Sequence, residues 1–283
     1  MICSLLTFVT AVLHRILPEK IRFALAAGLV RKYRFSYIIE DGLGILSKRL
    51  PDDNFAFLVK SGQSCDAVDM MEQLTPSLEG AAVCFDIGAN IGITTVWMAR
   101  HARKVYAFEP EPSNLVRFRE HMRLNRVDNV SLEPSAVSDH EGKATFNLTA
   151  SYGHHSLGKV RTSPITGTIE VDLITVDSYC RSHNIEQIHF MKIDVEGFEL
   201  EVLQGARQML EGRKITLVVF EVSPEILAAL SKQSVAIYDF LRDAGYRICF
   251  LNNEPVDRHA FASLKVNADF LAFPEPRQEE AHF

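Results

Sequence analysis

Acidic side chains recur in this chain just after apolar runs, and they are the residues best suited to chemistry. Asp86 follows Val83-Cys84-Phe85 and leads into a turn built from Gly88, Asn90 and Gly92. Glu109-Pro110 follows Val105-Tyr106-Ala107-Phe108, and Ser135-Ala136, with Asp139 shortly after, follows the run at 130–133. Lys192, Asp194 and Glu196 stand at the end of 188–193, and Glu221 at the end of 215–220. Glycines after a strand let a ligand approach bare backbone, and a helix beginning near Ile93 offers its unpaired N–H groups at the same point. The spacing is G-x-N-x-G and not the G-x-G-x-x-G of a dinucleotide turn, because Ile93 stands where the third glycine belongs. Glu109 lies about twenty positions beyond Gly88, the separation at which a carboxylate accepts hydrogen bonds from ribose hydroxyls. A carboxylate there also argues against a 2′-phosphate. The pattern predicts a ligand with a ribose and without a pyrophosphate.

Such residues must be held by regular elements, and the hydrophobic periodicity supplies them. Strands are predicted over 81–85, 105–108, 130–133, 169–173, 188–193, 215–220, 246–251 and 270–273. Helices are predicted over 93–101, from about 113 to 124, over 176–183, along Leu200, Leu203, Ala206 and Leu210, and from Pro224 to near Ala244-Gly245. A polar hairpin is expected around Glu141-Gly142. Strands alternating with helices of this length imply a parallel sheet with right-handed crossovers. The run at 215–220 is almost wholly apolar, as a central parallel strand should be. In such a sheet the ligand sits beyond the carboxyl ends of the strands, where the charged residues fall.

Between 149 and 168 the periodicity is lost, and a stretch containing Tyr152, His154 and His155 reads as a lid or binding loop, or as disorder. Upstream, a short strand at 55–59 and a helix at 66–78 are expected. Two apolar segments, 1–13 and 21–30, precede Arg31-Lys32-Tyr33-Arg34. Each is too short for a membrane span, so they read as helices packed on the main domain or a partner subunit, or as a peripheral membrane anchor. The net charge is −6, which leaves no electrostatic footprint for nucleic acid. Five cysteines, widely spaced and without a C-x-x-C pair, indicate neither a zinc site nor a disulfide framework and fit a reducing cytoplasm.

Six stretches in order then resemble one family. Asp86-x-Gly88-x-Asn90-x-Gly92, Ala107-Phe108-Glu109-Pro110, Ala136-Val137-Ser138-Asp139-x-x-Gly142, Lys192-Ile193-Asp194-Val195-Glu196-Gly197, Leu203-x-Gly205-Ala206 and Phe220-Glu221-Val222 look like the FkbM-type methyltransferases. The resemblance spans roughly 81–224 and implies a class I, S-adenosylmethionine-dependent O-methyltransferase. Its fold would be α/β and Rossmann-like: a mostly parallel seven-stranded sheet with an antiparallel final strand, helices on both faces, and a helical N-terminal extension. The division expected is an extension or cap at 1–60, a catalytic domain at 61–274 and a disordered tail at 275–283.

On that resemblance Asp86, Gly88, Asn90 and Gly92 face the methionine end of the cofactor, Glu109 holds the ribose, and Ser135 and Ala136 lie beside the adenine. Asp139 completes the cofactor set. Methyl transfer to an alcohol benefits from a positioned base. Asp194 is the first candidate and Glu196 the second, with Lys192 pairing with one of them or steering the acceptor; a structural ion-pair network is the alternative. Their i, i+2 spacing puts the three on one face if the strand stays extended. His155 is a further candidate, as an acceptor contact or a base from the loop. No metal is assigned. The acceptor expected is a hydroxyl of a small molecule or carbohydrate, with no nucleic acid partner and with room for homo-oligomerisation and for peripheral membrane contact through 1–34. Two other readings remain, a nicotinamide-dependent oxidoreductase and a non-catalytic membrane-associated protein with the same fold.

Overall fold

The computed structural model describes residues 83–149, 156–158 and 164–276, with Leu74, Ser77 and the backbone of two strands, β1 (Tyr37–Glu40) and β2 (Ile45–Lys48), which pair antiparallel. The expected strand at 55–59, the apolar segments at 1–34, His154, His155 and the residues beyond 276 lie outside the described residues, as does most of the helix expected at 66–78.

The body of the protein is a seven-stranded sheet in the order β11-β12-β10-β9-β3-β4-β5. The strands are β3 (Val83–Ile87), β4 (Lys104–Phe108), β5 (Val130–Glu133), β9 (Phe190–Ile193), β10 (Val218–Val222), β11 (Tyr246–Phe250) and β12 (Ala268–Pro274). The pairs β5-β4, β4-β3, β3-β9 and β9-β10 are parallel, and β12 runs antiparallel to both of its neighbours. This is the mostly parallel seven-stranded sheet with an antiparallel last strand that the family resemblance implies. Helices α1 (Ile93–His101), α2 (Pro112–Leu124), α3 (Val176–Ser182), α4 (Glu199–Gly205), α5 (Arg207–Glu211), α6 (Pro224–Ala229), α7 (Val235–Asp243) and α8 (Arg258–Ala262) complete the fold.

Alternation along the central strands puts apolar residues on both faces. Cys84 packs in one cluster with Trp97 and Met98 of α1, while its neighbour Phe85 packs in the other with Tyr179 of α3, Val202 and Leu203 of α4, and Ile237 and Leu241 of α7. Helices therefore cover both faces. Phe118 and Met122 of α2 pack on Ala107 of β4 and Val96 of α1.

Three departures from the sequence reading concern where elements end and which sheet they join. The strand beginning the site runs to Ile87, so Asp86 lies inside β3 rather than after it. The single helix expected from Pro224 to Ala244 is two, α6 and α7, broken at a polar Ser231-Lys232-Gln233-Ser234 stretch in which Ser231 takes a left-handed φ of 58°. The strand expected at 169–173 is longer and belongs to a separate sheet: β8 (Ile165–Ile174) pairs parallel with β6 (Ala136–Val137) and antiparallel with β7 (Gly142–Thr149). The polar hairpin predicted near Glu141-Gly142 is the short connection from β6 to β7, each of which takes β8 as its partner.

Candidate active site

A cavity of about 280 Å³ opens at the carboxyl ends of β3, β4, β9 and β10, and the small sheet walls one side of it with Val137 and Phe146. Each wall is set by a short segment whose conformation has a visible cause.

The first wall is the turn after β3. Asn90 adopts a left-handed φ of 50°, and its N–H points to Glu109 Oε2 at 2.9 Å. Gly88 and Asn90 line the cavity; Gly92 does not. The space a side chain would need at the two glycines is filled by the protein itself. A Cβ on Gly88, at φ 82°, would sit 1.8 Å from the Asp194 carbonyl oxygen, and one on Gly92, at φ 86°, would meet Phe118 and Met122 below 3 Å. These glycines let the β9 loop and α2 approach the turn.

Asp86 stands behind this wall, fully buried and off the cavity. Its Oδ2 accepts hydrogen bonds from the hydroxyls of Thr94 (2.9 Å) and Thr95 (2.5 Å) in the first turn of α1. Gly92 gives that helix no side-chain cap, so the Asp86 carboxylate supplies the negative charge that a helix N-terminus favours. Its Oδ1 lies 4.0 Å from Lys192 Nζ.

Glu109 faces the cavity from the end of β4 while only 5% exposed. Its Oε1 accepts the Glu111 N–H at 2.9 Å and the Asn114 side-chain amide at 3.4 Å, and Oε2 accepts Asn90 N–H. Burial pushes its carboxyl up to about 7, against the pull of those donors. Glu111 in turn caps α2 by accepting from Ser113 and Asn114 N–H, with Pro112 at the first helical position. Ser135 and Ala136 line the cavity, as do the apolar side chains of Phe108, Val137, Phe146 and Leu157. Asp139 lies off the cavity, where its exposed carboxylate is held low by a 2.6 Å hydrogen bond from His140, with a second from Ser138.

The opposite wall is the 194–198 turn. β9 ends at Ile193, and Glu196 and Gly197 then take left-handed φ values of 55° and 92°. The chain does not stay extended, so Lys192, Asp194 and Glu196 do not share one face. Asp194, Val195, Glu196 and Phe198 reach the cavity, whereas Lys192 is buried away from it. Lys192 Nζ donates to Asp194 Oδ2 at 3.0 Å. Burial alone would pull the ammonium down, but Asp194 and Asp86 outweigh it and hold it above its ordinary range.

Two residues outside the predicted set shape this turn. Glu199, the first residue of α4, is buried and accepts the N–H groups of Gly197 (3.0 Å) and Val195 (3.3 Å). Burial raises its carboxyl to about 7. Lys232 donates to the Gly197 carbonyl at 2.9 Å, lies 3.5 Å from the Phe198 ring centre, and pairs with Glu201 at 2.5 Å. The only signal for Glu199 was a carboxylate in a first helical turn; nothing local marked Lys232. Glu221, at the end of β10, also lines the cavity. Its Oε1 accepts from Asn267 Nδ2 at 3.1 Å, and burial followed by the charges of Asp194, Asp269 and Glu196 pushes it up to about 8. Among the described residues no group of three or more His, Cys, Asp and Glu side chains could hold a metal ion.

A seven-stranded sheet of this order, with one antiparallel strand and with carboxylates rather than a phosphate cradle at the strand ends, defines a class I methyltransferase. The chain belongs to the FkbM methyltransferase family: residues 86–248 match the methyltransferase FkbM domain. That membership sets aside the nicotinamide oxidoreductase reading. The chain is 29% identical over 187 residues to the hexuronic acid methyltransferase AglP of Haloferax volcanii, covering 64% of this chain and 75% of that one. It is 26% identical over 175 residues to the 2-O-methyltransferase NoeI of Sinorhizobium fredii, covering 56% and 70%. A crystal structure of the methyltransferase FkbM from Methylobacillus flagellatus matches with 16% identity and a TM-score of 0.44, over 69% of this chain and 44% of that one.

The methyl donor of such an enzyme is S-adenosylmethionine, and the residues here suit it. A ribose diol needs a buried acceptor and an adenine needs apolar surface; Glu109 offers the first, and Phe108, Val137, Phe146 and Leu157 offer the second. No helix among the described residues is long and apolar enough to cross a membrane.

Proposed function

We propose that this protein transfers the methyl group of S-adenosylmethionine to a hydroxyl of a sugar or sugar-bearing small molecule. The observation that carries the cofactor side is the buried Glu109 carboxylate, held by two backbone N–H groups and facing the cavity. The names of the hexuronic acid and 2-O-methyltransferase relatives support a carbohydrate hydroxyl as acceptor.

The bound donor supplies an electrophilic methyl group on a sulfonium. In this reading Glu109 accepts from both ribose hydroxyls, and Ser135 and Ala136 border the adenine with Phe108, Val137, Phe146 and Leu157. Gly88 and Asn90 shape the turn against the methionine end, and Asp86, from behind, fixes the helix that follows. Asp194 and Glu196 face the acceptor, with Lys192 anchoring Asp194. Holding the hydroxyl in line with the methyl group supplies much of the rate.

Calorimetry with S-adenosylhomocysteine and with NAD tests the cofactor assignment: the first should bind and the second should not. Incubation with radiolabelled S-adenosylmethionine and hexuronic acid-containing oligosaccharides tests the acceptor class. Binding of NAD without S-adenosylhomocysteine would sink the proposal.

A further inference from the structure

We propose that Glu221 is the residue that takes the proton from the acceptor hydroxyl, with Asp194 acting as a charge fixed by Lys192. The inference rests on the methyl-transfer reading above. It answers a question the 194–198 turn leaves open, namely which of the carboxylates on the acceptor side can remove a proton.

Position comes first. Glu221 reaches the cavity from β10, a central strand paired to β9 on one side and β12 on the other. A group on a paired strand is held more firmly than one on a left-handed turn, and Glu196 is on such a turn. Asn267, just before β12, donates to Glu221 Oε1 and fixes the carboxylate from the side.

Chemistry separates Glu221 from Asp194. The Asp194 carboxylate accepts a 3.0 Å bond from a buried ammonium that has Asp86 as a second counter-charge at 4.0 Å. That ion pair commits the Asp194 carboxylate to holding Lys192 in place. Glu221 has the opposite surroundings. Among the described residues, the acidic groups acting on it are Asp194 and Glu196 from the turn after β9 and Asp269 from β12, directly opposite it in the β10-β12 register; Lys192 acts in the other direction. Partial burial and three neighbouring carboxylates both favour the protonated form, so its proton affinity is matched to near-neutral conditions, where a general base works best.

The step balances simply. As the hydroxyl oxygen bonds to the methyl carbon, the carbon–sulfur bond breaks and its electron pair stays on sulfur. The hydroxyl proton passes to the Glu221 carboxylate and from there to solvent after the products leave.

The test uses the full chain, and Glu221→Gln keeps both the side-chain volume and the carbonyl that accepts from Asn267. Carbon NMR of glutamate carboxyls in the protein without any acceptor should show one group titrating near pH 8, absent in E221Q and shifted downward in Asp194→Asn. With radiolabelled S-adenosylmethionine and cell extract as acceptor source, E221Q should transfer label at least about 100-fold more slowly than wild type. Its affinity for S-adenosylhomocysteine should stay within about threefold, since a base contributes to the chemical step and not to ground-state binding. Wild-type transfer should rise with pH through about 8, because the base must be unprotonated. If the resonance lost in E221Q titrates in the ordinary carboxylate range, or if E221Q transfers label at the wild-type rate, Glu221 is not the base. If wild type neither binds S-adenosylhomocysteine nor labels any fraction, the methyltransferase reading itself fails.

Discussion

Asp86 and Glu109 look alike in the sequence, since both are acidic residues at the end of an apolar run, and the structure gives them unlike work. Asp86 lies inside β3 and spends one carboxylate oxygen on two threonine hydroxyls, while Glu109 lies one residue past β4 and turns to the cavity. Residue type and spacing marked both as candidate site residues. The difference depends on where each strand stops and on what the next helix offers, which no local pattern encodes. Glu109 also shows why a carboxylate is needed: it accepts a backbone N–H on each oxygen. Glutamine can satisfy only one of them and turns its amide hydrogens toward the other. Glu109→Gln should therefore cost about 1–3 kcal/mol of stability in denaturant titration at pH 5.5, where the wild-type carboxyl keeps its proton and the substitution relieves no buried charge. It should also weaken S-adenosylhomocysteine binding about tenfold to a hundredfold, the range expected for hydrogen bonds to a charged group. A variant with wild-type stability would show that the Asn90 and Glu111 N–H groups do not depend on this side chain.

Among elements, the central strands were legible because they are continuous apolar runs buried on both faces. The small sheet was not. β8 alternates exposed and half-buried residues over much of its length, and its partner β6 is two residues long and separated from it by β7. Pairing of that kind is decided by contacts distant in sequence, so the 149–168 region offered only loss of periodicity. The 194–198 turn shows the same dependence. Its sequence signalled carboxylates, but its shape is fixed from outside by Glu199 in α4 and by Lys232 between α6 and α7. Lys232 covers the Phe198 ring and binds the Gly197 carbonyl at the same time. Lys232→Ala should destabilise the protein by about 1–2 kcal/mol, and Lys232→Arg, which keeps a cation over the ring, should restore part of it. Hydrogen exchange should quicken at 194–198 in the alanine variant and stay unchanged in β4 and β5. Uniform quickening throughout the sheet would mean that Lys232 supports the fold generally and not this turn.

For the whole molecule, the raised carboxyls set the direction of its pH dependence. Glu109 and Glu199 are raised to about 7 in the folded protein, and Glu221 to about 8, whereas an unfolded glutamate titrates at 4.5. Below about pH 4.5 both states hold these protons. Between there and pH 7 to 8 the folded chain keeps protons that the unfolded chain has released, so stability falls as pH rises through that window. Above it both states are ionised and the loss is complete. All three sites act in the same direction, so their effects on stability add. The lowered Asp139 and Asp239 act the other way, losing their contribution only as pH falls below the ordinary aspartate range, and both are too exposed to weigh much. The melting temperature without ligand should therefore be higher near pH 5.5 than near pH 8, which differential scanning calorimetry measures directly. S-adenosylhomocysteine should reduce that difference. Ribose hydroxyls donate more strongly to an ionised Glu109 than to a protonated one, so the ligand's stabilising shift should grow with pH as Glu109 loses its proton. A melting temperature that climbs between pH 5.5 and 8 would mean that these carboxyls ionise in the folded protein as readily as in the unfolded chain. A ligand shift that stays constant across that range would remove Glu109 from the ribose site.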